Sequence, residues 1–249
     1  MADSPHVVVL SHERSGTHIA IDAIRNNFPA YREHFYANID RMVPGHWNYC
    51  EPEESERDLA IRPRVVKTHI TKDFHRFFDG KEEAVRVADA LLGDAKLIYM
   101  YRDGRDVASS LFSFLKGSQP SFGNVSFSEF LREVVESDLS RTRFSMNALD
   151  YWVHHIEGWW GRDDVAFFSF EDFTRRFDET VARIGKHIGM EPENPVKKVV
   201  RTRKRPAWMP EPVYKLFMRR IVGVDITSVS FNKGKVGGHK VDFTEEDLA

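Results

Sequence analysis

Apolar and polar positions along the chain alternate between two kinds of segment. His6–Leu10 reads HVVVL, a short β-branched run that predicts a strand buried on both faces. Isoleucines at 19, 21 and 24 then suggest a helix, with the small-residue turn Ser11–His18 between the two. Arg64-Val65-Val66-Lys67 predicts a second short strand. Ala84, Val87, Ala88, Leu91 and Leu92 form one apolar helical face, with Asp79 and Glu82 as a capping box and Gly93 as its stop. Lys96–Tyr101 is another buried-type strand, followed by a glycine turn and a helical stretch from Val107 to Leu115. Phe144, Ala148, Tyr151, Trp152, His155 and Trp159 share a helical face. Val165–Phe170 predicts a fourth strand, and Phe173, Phe177, Val181, Ile184 and Ile188 line the helix after it, which ends at Gly189.

Strands that alternate with helices in this way argue for a parallel sheet covered on both faces, hence an α/β fold. No internal repeat or low-complexity linker interrupts the pattern, so 1–249 is expected to be a single domain. Residues 36–62 have no clean period and are expected to be irregular; residues 117–126, GSQPSFGNVS, carry loop chemistry and are expected to form a mobile flap.

Composition narrows the function by exclusion. A net charge of −2 gives no global pull toward nucleic acid or an anionic membrane, so any polyanion site must be a local patch. The single cysteine, Cys50, leaves no intrachain disulfide and no multi-cysteine metal site, which suits a reducing compartment. The opening MADSPHVVVL lacks the charged start and long apolar core of a signal peptide, and no apolar run approaches the ~20 residues that span a bilayer. A cytoplasmic location and no membrane span are therefore expected.

Candidate chemistry lies at the strand ends. The turn Glu13–His18 follows the first strand and has no GxxxxGK[ST] lysine. It does offer Arg14, Ser15, Gly16 and Thr17 at a strand-to-helix junction. Gly16 lets backbone approach an anion, the first helical N–H groups point at it, and Arg14 adds a fixed positive charge. An N-cap with no ligand is the plain alternative. Lys67-Thr68-His69 lies at the end of the second predicted strand, where open α/β sheets carry their chemistry. Histidine supplies a base near working pH, and lysine can neutralise charge on a leaving oxygen. In Arg102–Ser110, RDGRDVASS, a guanidinium and a helix-borne hydroxyl could grip a phosphate, though a charged turn with Arg102 paired to Asp106 explains the same residues.

Together these segments resemble the motifs of the PAPS-dependent sulfotransferases of the cytosolic type, PAPS being 3'-phosphoadenosine 5'-phosphosulfate. Ser11–His18 resembles YPKSGTTW, with Arg14 in the lysine's place; Lys67-Thr68-His69-Ile70 resembles KTHL; Arg102–Ser110 resembles RNPKDVAVS. Trp152–Trp160 is similar to WFDHVxGWW, where the tryptophans read as core and His155 reads either way. Phe168–Asp172 is similar to FLFYEDM, with Phe170 for the tyrosine. Phe231–Gly238 is similar to FRKGxxGDWK, with Asn232 for the arginine and Gly238-His239 for Asp-Trp. The resemblance runs from about residue 6 to 244 and is loose over 30–60 and 190–228.

This resemblance implies a nucleotide-kinase-like fold with a P-loop-like strand–turn–helix, and sulfuryl transfer from PAPS to a hydroxyl or amine acceptor. It implies His69 as base, Lys67 and Arg14 as stabilisers of charge, and a donor held by Arg14, Ser15, Gly16, Thr17, His18, Arg102, Ser110, Phe170, Asn232, Lys233 and Gly234. No metal is required, and the product is adenosine 3',5'-bisphosphate. The family's dimer motif, KxxxTVxxxE, is half present: Lys240 and Thr244 fit but Glu245 does not, so dimerisation is not carried over. Tyr36, His46, Trp47, Tyr49, Phe122 and Phe127 in the irregular segments suggest a small aromatic or amphipathic alcohol as acceptor. The basic run Lys197–Arg205 reads as a solvated face or a rim that attracts anions, and without a recognised module no nucleic-acid partner is expected. Two other classes remain open: a nucleotide-dependent kinase or NTPase, disfavoured by the missing lysine and by the lack of an acidic residue clearly placed for Mg²⁺, and a catalytically silent nucleotide-binding protein.

Overall fold

The structure, a computed structural model, describes residues 4–46, 48–61, 63–133, 145–198, 208–217, 220 and 236–248. Asn232, Lys233 and Gly234, most of the basic run, Trp47 and Phe144 lie outside the described residues.

Five parallel strands form one sheet in the order β2-β3-β1-β4-β5. These are β1 (Val7–Ser11), β2 (Ala37–Asn38), β3 (Val65–Thr68), β4 (Lys96–Tyr101) and β5 (Val165–Ser169). In the centre of the sheet, Val7 of β1 is in register with Val65 on one side and Lys96 on the other. Successive β1 residues serve opposite faces, which is why the whole run is apolar. Val8 and Leu10 join Val66, Leu97 and Tyr99 against Ala84, Val87, Ala88 and Leu91 of α4 (Glu82–Asp94). Val7 and Val9 join Ile98 and Met100 against α1 (Thr17–Asn27) and α9 (Phe177–Ile188). A third cluster packs Leu111 and Leu115 of α5 (Gly104–Ser118) on Phe130 of α6 (Phe127–Arg132) and Ala148 of α7 (Ala148–Trp159).

Several local expectations are corrected. Helix α4 is capped by Lys81 without a side-chain bond; Asp79 instead adopts left-handed backbone, φ 57, and Gly93 lies inside the helix. The 36–62 stretch is more ordered than its pattern implied. It holds β2, a 3-10 turn at Ile39–Met42 and α2 (Pro52–Leu59), beginning at a proline suited to the first helical position. β5 ends at Ser169, because the Ser169 hydroxyl accepts from the Asp172 N–H and the Asp172 carboxylate accepts from the Ser169 N–H. Phe170 therefore opens the next helix, α8 (Phe170–Arg175). The 117–126 flap is anchored: Phe122 is fully buried in the third cluster, so it is core and does not line an acceptor pocket.

Candidate active site

The segments around Arg14, His69, Arg102 and Phe170 each leave the sheet at the carboxyl end of a strand, after β1, β3, β4 and β5. The loop after β1 runs from His12 to Gly16. Arg14 (φ 66) and Gly16 (φ 102) both adopt left-handed backbone, and between them the Ser15 N–H donates to the His12 carbonyl at 3.3 Å. A Cβ on Gly16 would stand 2.7 Å from the Phe170 ring, so only glycine fits both the backbone and the packing. Gly16 also caps α1 with no side-chain bond, leaving the helix N-terminus to its first N–H groups. The buried Ser15 hydroxyl makes no hydrogen bond among the described residues. A buried donor with no protein partner, beside such a loop, is what a bound phosphate group would satisfy.

Two arginines converge here. Arg14 donates from Nε to the Ser110 hydroxyl at 3.2 Å and lies over the Phe114 ring at 5.1 Å. Arg102, buried, rests on the Phe170 ring at 4.5 Å and donates to the Arg14 carbonyl at 3.5 Å. Burial, and then the charge of Arg102, lowers the pKa of Arg14. Among the described residues no carboxylate pairs with Arg14. The β1 loop and the 102–110 segment are therefore a single cationic site, joined through Arg14 and Ser110. Phe170, where the family pattern has tyrosine, forms its apolar floor.

Across β1, the end of β3 carries Lys67, Thr68 and His69. His69 Nδ1 lies 2.7 Å from the Ser11 carbonyl, which can only accept, so Nδ1 carries the proton and Nε2 holds the free lone pair. Burial, and next the charge of Lys67, pushes the pKa of His69 below its usual value, against the opposing pull of Asp40 and Glu13. The ring is thus a neutral base at neutral pH. Its backbone is held from two sides: Asp40 accepts from the His69 N–H at 2.9 Å, and His155 Nε2 donates to the His69 carbonyl at 3.0 Å.

Asp40 is the member that sequence reasoning missed. One oxygen also accepts from Thr68 Oγ1 at 2.7 Å, and the other pairs with Lys67 Nζ at 3.2 Å. Burial would raise its pKa, but the charge of Lys67 and these bonds hold it below the usual carboxylate range. His155 proves to be structural: fully buried, it accepts from the Tyr99 hydroxyl at 2.7 Å, and burial pushes its pKa down to about 3. Trp159 is core, donating to the Ile70 carbonyl at 3.1 Å, whereas Trp160 is exposed.

His18 faces the same end. Burial first, then the charges of Lys67, His69, Arg14 and Lys215, push its pKa down to about 3. Its ring meets Tyr36 edge-on with centroids 5.6 Å apart. Of the aromatic residues proposed for an acceptor wall, Tyr36 therefore joins the site. Tyr49 bonds Glu51 and Lys81, and Phe127 packs on Phe112. Among the described residues no group of three or more His, Cys, Asp or Glu side chains gathers to hold a metal ion, and no helix is long and apolar enough to cross a membrane.

The chain belongs to the sulfotransferase domain family, whose model matches residues 4–249. It is 24% identical to mouse Sulfotransferase 4A1 over 153 residues, which are 61% of this chain and 48% of that protein. It is 29% identical to human Sulfotransferase 2B1 over 132 residues, 51% of this chain and 30% of that protein. The chain thus spans less than half the length of these two relatives. The crystal structure of mouse sulfotransferase SULT7A1 complexed with PAP superimposes with a TM-score of 0.63 at 17% identity, covering 99% of this chain and 82% of that one. Retinol dehydratase, in a complex with retinol and PAP, gives a TM-score of 0.55 at 19% identity, over 100% and 79% of the two chains. These likenesses establish the fold.

Proposed function

We propose that the chain transfers the sulfuryl group of 3'-phosphoadenosine 5'-phosphosulfate to a hydroxyl or amine of a small acceptor, with His69 as general base. The observation that carries this reading is the tautomer of His69. Its Nδ1–H is committed to the Ser11 carbonyl, so Nε2 is the proton-accepting atom, one strand away from a loop suited to phosphate. The Arg14–Thr17 loop would receive the 5'-phosphosulfate, Arg102, Ser110 and the 232–234 segment the 3'-phosphate, and Phe170 would face the rest of the nucleotide. The acceptor oxygen loses its proton to His69 Nε2 and bonds to sulfur as the bond from sulfur to the 5'-phosphate oxygen breaks. Arg14 and Lys67 then face the charge that gathers on the leaving oxygen, and most of the acceleration comes from positioning and electrostatics.

PAP, present in the structures of two fold neighbours, is in this reading the product left after transfer. Retinol in one of them is an amphipathic alcohol, the acceptor class that Tyr36 and His18 favour here. A cytoplasmic setting belongs to the same proposal. One observation favours a silent nucleotide-binding protein as the second reading: Asp40 already engages Lys67, which reduces the charge it can offer a leaving group.

Donor labelled in its sulfate, incubated with the full chain and a panel of alcohols and amines, separates the readings. Label should pass to an acceptor with an equal amount of adenosine 3',5'-bisphosphate released. Tight nucleotide binding with no labelled product across the panel would favour the silent reading, and turnover of ATP would favour a kinase.

A further inference from the structure

Ser11 is the last residue of β1 and is fully buried. The reaction proposed above uses only its carbonyl, which accepts from His69 Nδ1 at 2.7 Å. Its hydroxyl lies between two groups that already have assigned work. Oγ is 3.3 Å from His69 Nδ1 on one side and 2.6 Å from Thr17 Oγ1 on the other. Thr17 opens α1, so this one hydroxyl joins the histidine after β3 to the first residue of the helix that follows the anion loop.

The direction of these bonds follows by elimination. Nδ1 carries the proton and can only donate, so Ser11 Oγ receives it as a second, longer acceptor beside the carbonyl. The Ser11 O–H therefore cannot turn to His69. A buried hydroxyl proton needs an acceptor, and among the described residues the other partner of Ser11 Oγ is Thr17 Oγ1. Thr17 thus accepts from Ser11 and keeps its own hydrogen for another partner. Among the described residues Thr17 Oγ1 makes no further hydrogen bond, so that hydrogen is available to a ligand in the Arg14–Thr17 loop.

We propose that Ser11 is a positioning residue that couples an occupied anion loop to the base: hydrogen bonds run from His69 Nδ1 to Ser11 Oγ, from Ser11 to Thr17, and from Thr17 to the bound anion. The inference rests on the donor and base assignments proposed above. No proton passes along this row; each hydrogen stays on its own atom. An anion that accepts from Thr17 makes its oxygen a better acceptor for Ser11, and Ser11 Oγ in turn a better acceptor for Nδ1–H, because hydrogen bonds in a row polarise one another. Nε2, the other nitrogen of the ring, then holds a proton more tightly. A filled donor site readies the base, and an empty one leaves it weaker. The charged and titratable groups around His69 are Lys67 on β3, Asp40 on the 3-10 turn, Glu13 on the loop after β1, His18 on α1 and His155 on α7. None of them belongs to the row of hydroxyls, so a change at Ser11 leaves them in place as background.

Histidine NMR titration of the full chain, with and without saturating adenosine 3',5'-bisphosphate, tests this. In the wild type the nucleotide should raise the pKa of His69. Part of that rise is nucleotide charge acting through space, which Ser11→Ala keeps; the rest passes through the hydroxyls, which Ser11→Ala breaks. The rise in Ser11→Ala should therefore be smaller by about half a unit, the scale of cooperative strengthening in a hydrogen bond to a charged group. Ser11→Thr retains the hydroxyl and should recover the full rise, which a role in packing alone would not predict. If Ser11→Ala fails to fold, Ser11→Cys takes its place, because it keeps the shape and leaves only a weak donor and acceptor. A wild-type chain that does not bind the bisphosphate would overturn the donor assignment and this inference with it. A chain that binds it, with no rise in the wild type or an equal rise in Ser11→Ala, would overturn the link through Ser11 and leave the donor assignment standing.

Discussion

At the Lys67–His69 end of the cleft the lysine has a buried carboxylate partner, whereas at the Arg14–Arg102 end Arg14 has none among the described residues. Lys67 has the buried Asp40 as its counter-ion, and burial and Lys67 keep His69 neutral. Across β1, Arg102 pairs with Asp106, which also accepts three N–H bonds from Gly237 and His239, while Arg14 lies beside Arg102 with no carboxylate partner among the described residues. Like charges packed in a buried place cost free energy unless an anion joins them. The contrast assigns different work to the two ends. In the proposed reading a polyanion would bind at the arginines, and the histidine would take a proton from a neutral group.

The widest separation between the ends should come from His69→Ala. If Nε2 takes the acceptor's proton, kcat should fall by about 10²–10⁴ while adenosine 3',5'-bisphosphate binds as before. A rate within threefold of wild type in the label-transfer assay would remove His69 from the chemistry. The complementary change, Arg102→Ala, should act on affinity. Loss of a charge-assisted contact costs about 1.5–3 kcal/mol, so the bisphosphate should weaken by at least about tenfold and adenosine 5'-phosphate much less. Equal losses for both ligands would show that Arg102 does not read the 3'-phosphate.

The two ends were also unequally legible in the sequence. β1, β3, β4 and β5 could be read from apolar runs because strands covered on both faces leave no polar alternation to confuse with a loop. The arginine end was legible through motifs: Arg14, Gly16, Arg102 and Ser110 keep recognisable spacing, although the 96-residue contact from Arg14 to Ser110 has no local signal. Asp40 was not legible. It lies in a stretch without period, and its partners Lys67, Thr68 and His69 come 27 to 29 residues later, brought to it by the pairing of β2 with β3. The end of β5 carried a readable sign in Ser169-x-x-Asp172, a capping box. The apolar run into Phe170 masked it. His155 could be placed on the inner face of its helix, but not beneath His69, because helical periodicity says which side is buried and nothing about what lies there.

The smallest and most diagnostic effect concerns the pH dependence of transfer. A general base must be neutral to accept a proton, so activity is lost on the acid side as pH falls through the pKa of His69. Burial and then Lys67 lower that pKa from 6.5, so the acid limb of kcat/KM in the wild type should lie below the ordinary histidine value. The two charges beside His69 act in opposite senses. Lys67 disfavours the imidazolium, so Lys67→Met should raise the pKa and move the limb to higher pH. Asp40 favours the imidazolium, and Asp40→Asn also leaves the Lys67 charge unopposed, so the limb should move to lower pH. Glu13 and the Ser11 carbonyl, which also raise the pKa, are untouched in both variants and serve as the constant background. Both substitutions are expected to reduce the plateau rate as well, but the position of the limb is read independently of its height. A shift of both variants in the same direction, or of neither, would mean that the group titrating on the acid side is not the histidine between Lys67 and Asp40. The neutral-base assignment for this end of the cleft would then fall, while the arginine end would keep its own test in the bisphosphate titration.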